Sequence, residues 1–266
     1  MEDQGRHLSP LDGVGVLVTR PSHQAAPLCR QLEEAGAAVT RFPALELQPL
    51  ADPRTWATRL GELATFDLII FASANAVRFG AALLQQRRDL PLAAIGPATA
   101  RALNQAGYRV SVQPVEGFDS ESLLRHPTLT RVAGNRVLLI KGQGGRELLE
   151  SELARRGALV TTAEVYRRQC PSATPAELGA LESRFETLQI QVITATSLEV
   201  GGNLLALATP VLRRHFDAAH WLVPSARVAD GLRERGLAAP ILRAASAEDQ
   251  DLVSALVRWC SSVSGA

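Results

Sequence analysis

The sequence predicts an α/β fold of two similar lobes, each a parallel sheet flanked by helices, and three features of the chain predict it. Apolar runs of about five residues lack strict alternation, the pattern of parallel strands covered on both faces. These runs alternate with amphipathic stretches of helical length, as βαβ units do. A motif near the amino terminus also returns in mid-chain. Leu28, Leu32, Gly36, Val39 and Thr40 are answered by Leu149, Leu153, Gly157, Val160 and Thr161, each 121 positions further on. Phe71-Ala72-Ser73 is answered by Thr194-Ala195-Thr196 at nearly the same spacing. Chance sharing of L-x-x-x-L and a helix-ending glycine is the alternative, but the later elements recur in the same order, which favours duplicated lobes.

Taken along the chain, residues 13–20 (GVGVLVTR) form an uninterrupted apolar strand, and residues 23–35 a helix closed by Gly36. Residues 39–47 are extended, and residues 67–72 (DLIIFA) make a strand feeding a helix over 74–85. A strand at 92–95 leads to a helix over 97–106, with Gly107 just past its end as helix C-termini prefer. Strands at 110–113 and 136–141 (RVLLIK) precede a helix over 146–156 that stops at Gly157. Residues 190–194, 221–223 and 241–243 complete the strands, each with a helix behind it, the last over 248–260. Residues 127–131 and 207–217 read as surface loops.

Composition narrows the function classes. With 266 residues, 46% hydrophobic and 21% charged, the chain is long enough for two ordinary globular domains. A net charge of +1 gives no global field to draw in nucleic acid or an anionic membrane, so an acidic ligand must be held by local groups. Cys29, Cys170 and Cys260 are odd in number and scattered, which suits a reducing compartment better than a disulfide framework. The first eleven residues lack the apolar core of a signal peptide, and no apolar run approaches the roughly 20 residues of a membrane span. The expectation is a cytoplasmic protein. His7, His23, His126, His215 and His220 have no partner at metal-ligand spacing, and no metal is expected. His215 and His220 flank a loop and read as solvated or packed.

In a parallel sheet the loops leaving the strand carboxyl ends form the ligand edge, where helix N-termini present unpaired N–H groups. The junctions at Thr19-Arg20, Ser73-Ala74-Asn75, Gly96-Pro97-Ala98-Thr99, Gly142-Gln143-Gly144-Gly145-Arg146, Thr196-Ser197 and Ser225-Ala226-Arg227 are nearly all small and polar. Helix capping alone wants the same residues. As a set, though, with arginines at 20, 146 and 227, they could hold several carboxylates at once. The glycines at 142–145 follow a strand but match neither G-x-x-x-x-G-K-[S/T] nor the third glycine of G-x-G-x-x-G, where Glu147 stands. No G-x-S-x-G elbow is present.

In order, these pieces resemble the uroporphyrinogen-III synthase family across nearly the whole chain. They are VLVTRP (16–21), IIFASANAV (69–77), AAIGPATARAL (93–103), GFDSESLL (117–124), LLIKGQGGRELLESELARRGA (138–158), EVYRRQCP (164–171), VITATSLEVGGNLL (192–205) and VPSARVADGLRERG (223–236). The resemblance implies two α/β lobes joined by a two-segment extended hinge, the chain making part of one lobe, all of the second, then finishing the first. The crossings would fall at residues 42–50 and 164–171. Lobe one is then expected at 1–45 plus 168–266 and lobe two at 46–167. Each would hold a five-stranded parallel sheet: 15–19, 39–43, 190–194, 221–223 and 241–243 against 67–72, 92–95, 110–113, 136–141 and 158–163.

The resemblance further implies a cytoplasmic, monomeric, cofactor-independent lyase. It would cyclise hydroxymethylbilane to uroporphyrinogen III with no nucleic acid or membrane partner. Loss of water from ring A gives an azafulvene, which ring D attacks through its substituted carbon. The resulting spiro intermediate fragments and recloses with ring D inverted. Uncatalysed closure gives the type I isomer, so the task is to hold a flexible polycarboxylate in the rarer geometry while an acid protonates the departing hydroxyl. Tyr166 matches the family's tyrosine in the returning hinge segment and is the candidate proton donor, since a phenol with an ordinary pKa of about 10 keeps its proton near neutrality. Packing of the ring against the hinge is the alternative. Thr19, Arg20, Ser73, Asn75, Gly96, Thr99, Lys141, Gly142, Gly144, Gly145, Arg146, Thr196, Ser197, Ser225 and Arg227 are the candidate substrate-binding residues. Lys141 stands where bacterial members commonly carry arginine, and Ala226 where some relatives carry a hydroxyl. Two rivals remain at this point: a binding or sensor module for an acidic small molecule, and a nucleotide-using α/β enzyme.

Overall fold

The computed structural model of the protein describes residues 9–50, 56, 63–85, 88–187 and 190–264, so His7 lies outside the described residues. The chain divides into two compact units, Met1–Glu46 with Gln169–Ala266, and Leu47–Arg168. In chain order the strands are β1 (Gly15–Val18), β2 (Ala38–Arg41), β3 (Glu46–Pro49), β4 (Leu68–Phe71), β5 (Leu92–Ala94), β6 (Arg136–Gly142), β7 (Leu159–Gln169), β8 (Ile190–Thr194), β9 (His220–Val223) and β10 (Ile241–Arg243). The helices are α1 (Ser22–Glu34), α2 (Ala74–Gly80), α3 (Pro97–Gln105), α4 (Ser120–Leu124), α5 (Pro127–Thr130), α6 (Leu148–Arg155), α7 (Pro175–Thr187), α8 (Leu198–Leu207), α9 (Pro210–Ala218), α10 (Ala226–Glu234) and α11 (Asp249–Ser264).

The first unit carries a sheet in the order β10-β9-β8-β1-β2, every pairing parallel. Counted within the unit this is the doubly wound order 2-1-3-4-5. Strand periodicity sends alternate residues to opposite faces. Val16, Val18 and Val192 pack with Leu28 and Leu32 of α1 and Leu252 and Leu256 of α11. Leu17, Ile193 and Trp221 face the other way, into Val200 and Leu204 of α8, Phe216 of α9 and Leu232 of α10. Buried Trp221 donates its indole N–H to the Phe216 carbonyl at 2.9 Å, so its polar atom is satisfied where burial would otherwise penalise it.

The second unit's sheet runs β3-β7-β6-β4-β5. The pairings among β4, β5, β6 and β7 are parallel. Arg167 reaches Gln48, Gln169 reaches Glu46, and Leu50 N donates to Val165 O, so β3 runs antiparallel to β7. The fifth parallel strand expected at 110–113 is absent as a strand: only Val112 forms a parallel bridge, to Ala93. Pro114 follows immediately, and proline offers no N–H to extend the ladder. β3 supplies the fifth strand instead, at the opposite edge, so this sheet is mostly rather than wholly parallel. β7, with no proline before Pro171, runs on well past the expected residue 163.

Two expected loops are helices. Residues 127–131 contain α5, where Pro127 sits in the first turn and His126 accepts the Thr128 N–H through Nδ1 at 3.2 Å. Residues 207–217 contain most of α9, capped by Thr209 Oγ1 on Leu212 N at 3.1 Å, with Pro210 in its first turn and Leu212 and Phe216 buried. Both begin with proline, which is pre-set for a first helical turn. The helix expected over 74–85 is α2 followed by a 3-10 turn over Ala81–Leu84.

Candidate active site

In the second unit β4 and β6 are neighbours, yet the helices that follow them go to opposite faces. Ala76 and Val77 of α2 pack with Ile69, Phe71, Leu138 and Ile140. Leu149 and Leu153 of α6 pack with Leu68, Ile70, Val137 and Leu139. A crevice must therefore open beyond the carboxyl ends of β4 and β6, the place where open α/β sheets bind ligands. Ser73 caps α2 there, its Oγ accepting the Ala76 N–H at 3.0 Å. Asn75 follows it, half-buried in the first turn. Gly142 ends β6, and Gly144 and Gly145 turn with φ of 72° and 85°, a left-handed conformation that suits glycine.

Tyr166 reaches this crevice through a β-bulge. Lys141 pairs with Glu164 but Gly142 pairs with Tyr166, leaving Val165 as an inserted residue. Without the insertion, Tyr166 would share the face of Glu164, two residues earlier. With it, the ring is 6% exposed, joins the α2 side of the core, and stacks on Phe79 at 5.3 Å between centroids. Its hydroxyl lies 3.3 Å from Ser73 Oγ. A Cβ on Gly142 would stand 2.5 Å from the Tyr166 Cζ, so the ring rests directly over the glycine backbone.

On the α6 side of the same edge a cavity of about 710 Å³ is lined by Trp56, Lys141, Gly144, Gly145, Glu150 and Glu164, among others. Lys141 is buried and ion-paired to Glu150 at 2.6 Å. Gly144 N donates to Glu164 Oε1 at 3.2 Å. Arg146 is exposed and bridges to Glu121 at 2.6 Å. At the end of β5, Gly96 is the extended N-cap of α3, Pro97 occupies its first turn, and Thr99 is buried.

The first unit has a switch point of its own between β1 and β8, whose helices α1 and α8 go to opposite faces. Thr19 is wholly buried there and donates its hydroxyl to the Thr194 carbonyl. Arg20 is ion-paired to Asp249 at the start of α11 and donates to the Ala247 carbonyl. Thr196 is half-buried beyond β8, and Ser197 caps α8 through the Val200 N–H at 3.2 Å. Beyond β9, Ser225 caps α10 through the Val228 N–H at 3.3 Å, with Arg227 exposed in the first turn.

Capping and ligand edge thus coincide at Ser73, Ser197 and Ser225. Three cations of the sequence reading, Arg20, Lys141 and Arg146, already hold carboxylates. Their partners Asp249, Glu150 and Glu121 were not singled out from the sequence, because nothing in local spacing marks them. His220, whose pKa is lowered by burial, stands beside Trp259 at the start of β9, away from that strand's carboxyl end. Among the described residues no group of three or more His, Cys, Asp or Glu could hold a metal ion. Among them, too, no helix is long and apolar enough to cross a membrane.

Two open sheets, each with a switch point where one of the two helices starts under a serine cap, define a two-unit α/β protein whose ligand edges carry helix N-termini. A family model described as Uroporphyrinogen-III synthase HemD matches residues 26–253. The chain belongs to the uroporphyrinogen-III synthase family. It is 35% identical to the uroporphyrinogen-III synthase of Salmonella typhimurium over 230 residues, covering 84% of this chain and 92% of that one. It is 34% identical to the enzyme of Escherichia coli over 229 residues with the same coverage. Among solved structures, uroporphyrinogen-III synthetase from Helicobacter pylori matches with TM-score 0.60 at 16% identity, covering 94% of this chain and 99% of that one. A mutant uroporphyrinogen III synthase from Thermus thermophilus matches with TM-score 0.57 at 21% identity, covering 95% and 100%. These two likenesses bear on the fold.

Proposed function

We propose that the chain carries its family's activity, closing hydroxymethylbilane to uroporphyrinogen III with loss of water and inversion of ring D, a cofactor-independent lyase step of haem biosynthesis. The observation that carries this reading is a family match over residues 26–253 in a chain whose Tyr166 hydroxyl sits 3.3 Å from Ser73 at a switch point. A fixed phenol beside amide-rich helix starts can give a proton to the ring A hydroxyl while the rest of the site holds carboxylates. The acid is needed because hydroxide is a poor leaving group and water a good one. Everything else the site must do is orientation.

In this reading Ser73 offers its N–H, Gly144 exchanges its bond to Glu164 for a substrate carboxylate, and Asn75, Gly96, Thr99, Gly142 and Gly145 offer N–H and hydroxyl groups to carboxylates at the second unit's edge. Thr196, Ser197, Ser225 and Arg227 do the same at the first unit's edge. Thr19 lies behind this edge, wholly buried with its hydroxyl and N–H both donated to Thr194 and its carbonyl accepting from Ala44 N–H, and it steadies the strand ends rather than meeting the substrate. Arg20, Lys141 and Arg146 bring positive charge partly offset by Asp249, Glu150 and Glu121. The proposal includes the lobe boundaries 1–45 plus 168–266 and 46–167, a monomer, and a cytoplasmic location. Incubation with hydroxymethylbilane followed by oxidation and separation of the porphyrin isomers tests it. An excess of type III over a protein-free control is expected; type I alone overturns the activity and leaves a binding module.

A further inference from the structure

The hydroxyl of Ser73 does two things at once, and only one of them is helix capping. A serine hydroxyl has one proton and two lone pairs. One lone pair accepts the Ala76 N–H at 3.0 Å, which closes the first turn of α2. The proton is left over, and Tyr166 Oη lies 3.3 Å away. Either oxygen could donate, but the two arrangements differ chemically. If the phenol donates, its proton is tied to Ser73 and turned away from any substrate. If the serine donates, the phenol proton is free, and the bond strengthens when the phenol becomes phenolate, because hydrogen bonds to ionised acceptors are roughly twice as strong.

We propose that Ser73 is a positioning residue for the reaction, donating its hydroxyl proton to Tyr166 Oη so that the phenol can release its own proton and the resulting phenolate is stabilised. The geometry favours this because the ring has little freedom. It stacks on Phe79, rests over Gly142, and is held by a bulge whose Gln143 N–H donates to the Tyr166 carbonyl at 2.7 Å. Ser73 is equally fixed, extended at φ −161° and tied to Ala76. The proton balance closes within one turnover. The phenol proton leaves with the ring A hydroxyl as water, and the proton lost when the new ring regains aromaticity returns to the phenolate. The inference rests on the reading of Tyr166 as the acid.

Glycine is nearly as good an N-cap as serine but has no hydroxyl. Ser73→Gly should therefore leave the thermal midpoint close to the parent's while kcat falls roughly tenfold or more, with KM little changed. Ser73→Thr, which keeps both cap and donor, should restore most of the loss. In a Tyr166→Phe background Ser73→Gly should cost nothing further, since its target oxygen is gone. If Ser73→Gly raises KM at unchanged kcat, or its loss multiplies with that of Tyr166→Phe, the positioning role is wrong while the acid role stands. If Tyr166→Phe itself turns over like the parent, the acid role fails and the Ser73 role with it.

Discussion

Gly142→Ala is the sharpest single probe of how Tyr166 is seated. The added Cβ would stand 2.5 Å from Tyr166 Cζ and 2.8 Å from both Cε2 and Oη. Carbon atoms in contact prefer about 3.5–4.0 Å, so the ring must retreat by about 1 Å. It cannot retreat freely, because it is buried and stacked on Phe79. Overpacking of this kind costs about 1–3 kcal/mol of stability. The larger effect falls on turnover, since displacing a reacting group by about 1 Å can cost on the order of 10²-fold. Steady-state kinetics with hydroxymethylbilane should show a large drop in kcat beside a modest loss in denaturant midpoint. Gly134→Ala is the control. Its Cβ meets open space, but φ is 79°, so it should lose stability through backbone strain with kcat largely preserved. If Gly142→Ala turns over at the parent's rate, the close approach of ring and glycine is not what seats the tyrosine.

Two further outcomes follow from the charged groups. Arg20→Met should lower stability by about 2 kcal/mol, because the arginine is only 14% exposed and bonds Asp249 and the Ala247 carbonyl; denaturant unfolding reads this. An unchanged unfolding midpoint would contradict a structural role for the Arg20–Asp249 pair. Glu152 is held down to about 2, first by hydrogen bonds from Arg155 and then from Arg156, against an ordinary value of 4.5. Its folded value is depressed, so its contribution is present above 4.5 and lost as pH falls through about 2. Glu152→Gln should accordingly be less stable than the parent near neutrality, with the gap closing in acid; a gap that does not change with pH would contradict the ion-pair origin.

Most strands were legible because β1, β4, β6 and β9 carry unbroken apolar runs, and such runs need two covered faces. The glycine-closed repeat around Gly36 and Gly157 carried the two-unit reading. Residues 110–113 misled because their composition suits a strand while the following Pro114 limits pairing to one bridge. The helices at 127–130 and 210–218 carried a legible signal, a proline in the first turn behind a capping side chain, which their polar surroundings outweighed. At the site, the small-polar junctions and Tyr166 could be read, but their geometry could not. The bulge at Val165 is a register event between distant strands. Glu150, Asp249 and Glu121 meet Lys141, Arg20 and Arg146 through tertiary packing that no local spacing encodes.

The most direct test separates proton delivery from orientation by following Tyr166→Phe with hydroxymethylbilane and measuring both the initial rate and the isomers formed, corrected for spontaneous closure. A phenol that supplies the proton at an edge built from other groups predicts slow protein-dependent turnover whose product is still type III. Turnover at the parent's rate, or a protein-dependent product that becomes type I, would contradict the division of labour between Tyr166 and the amide-rich edges.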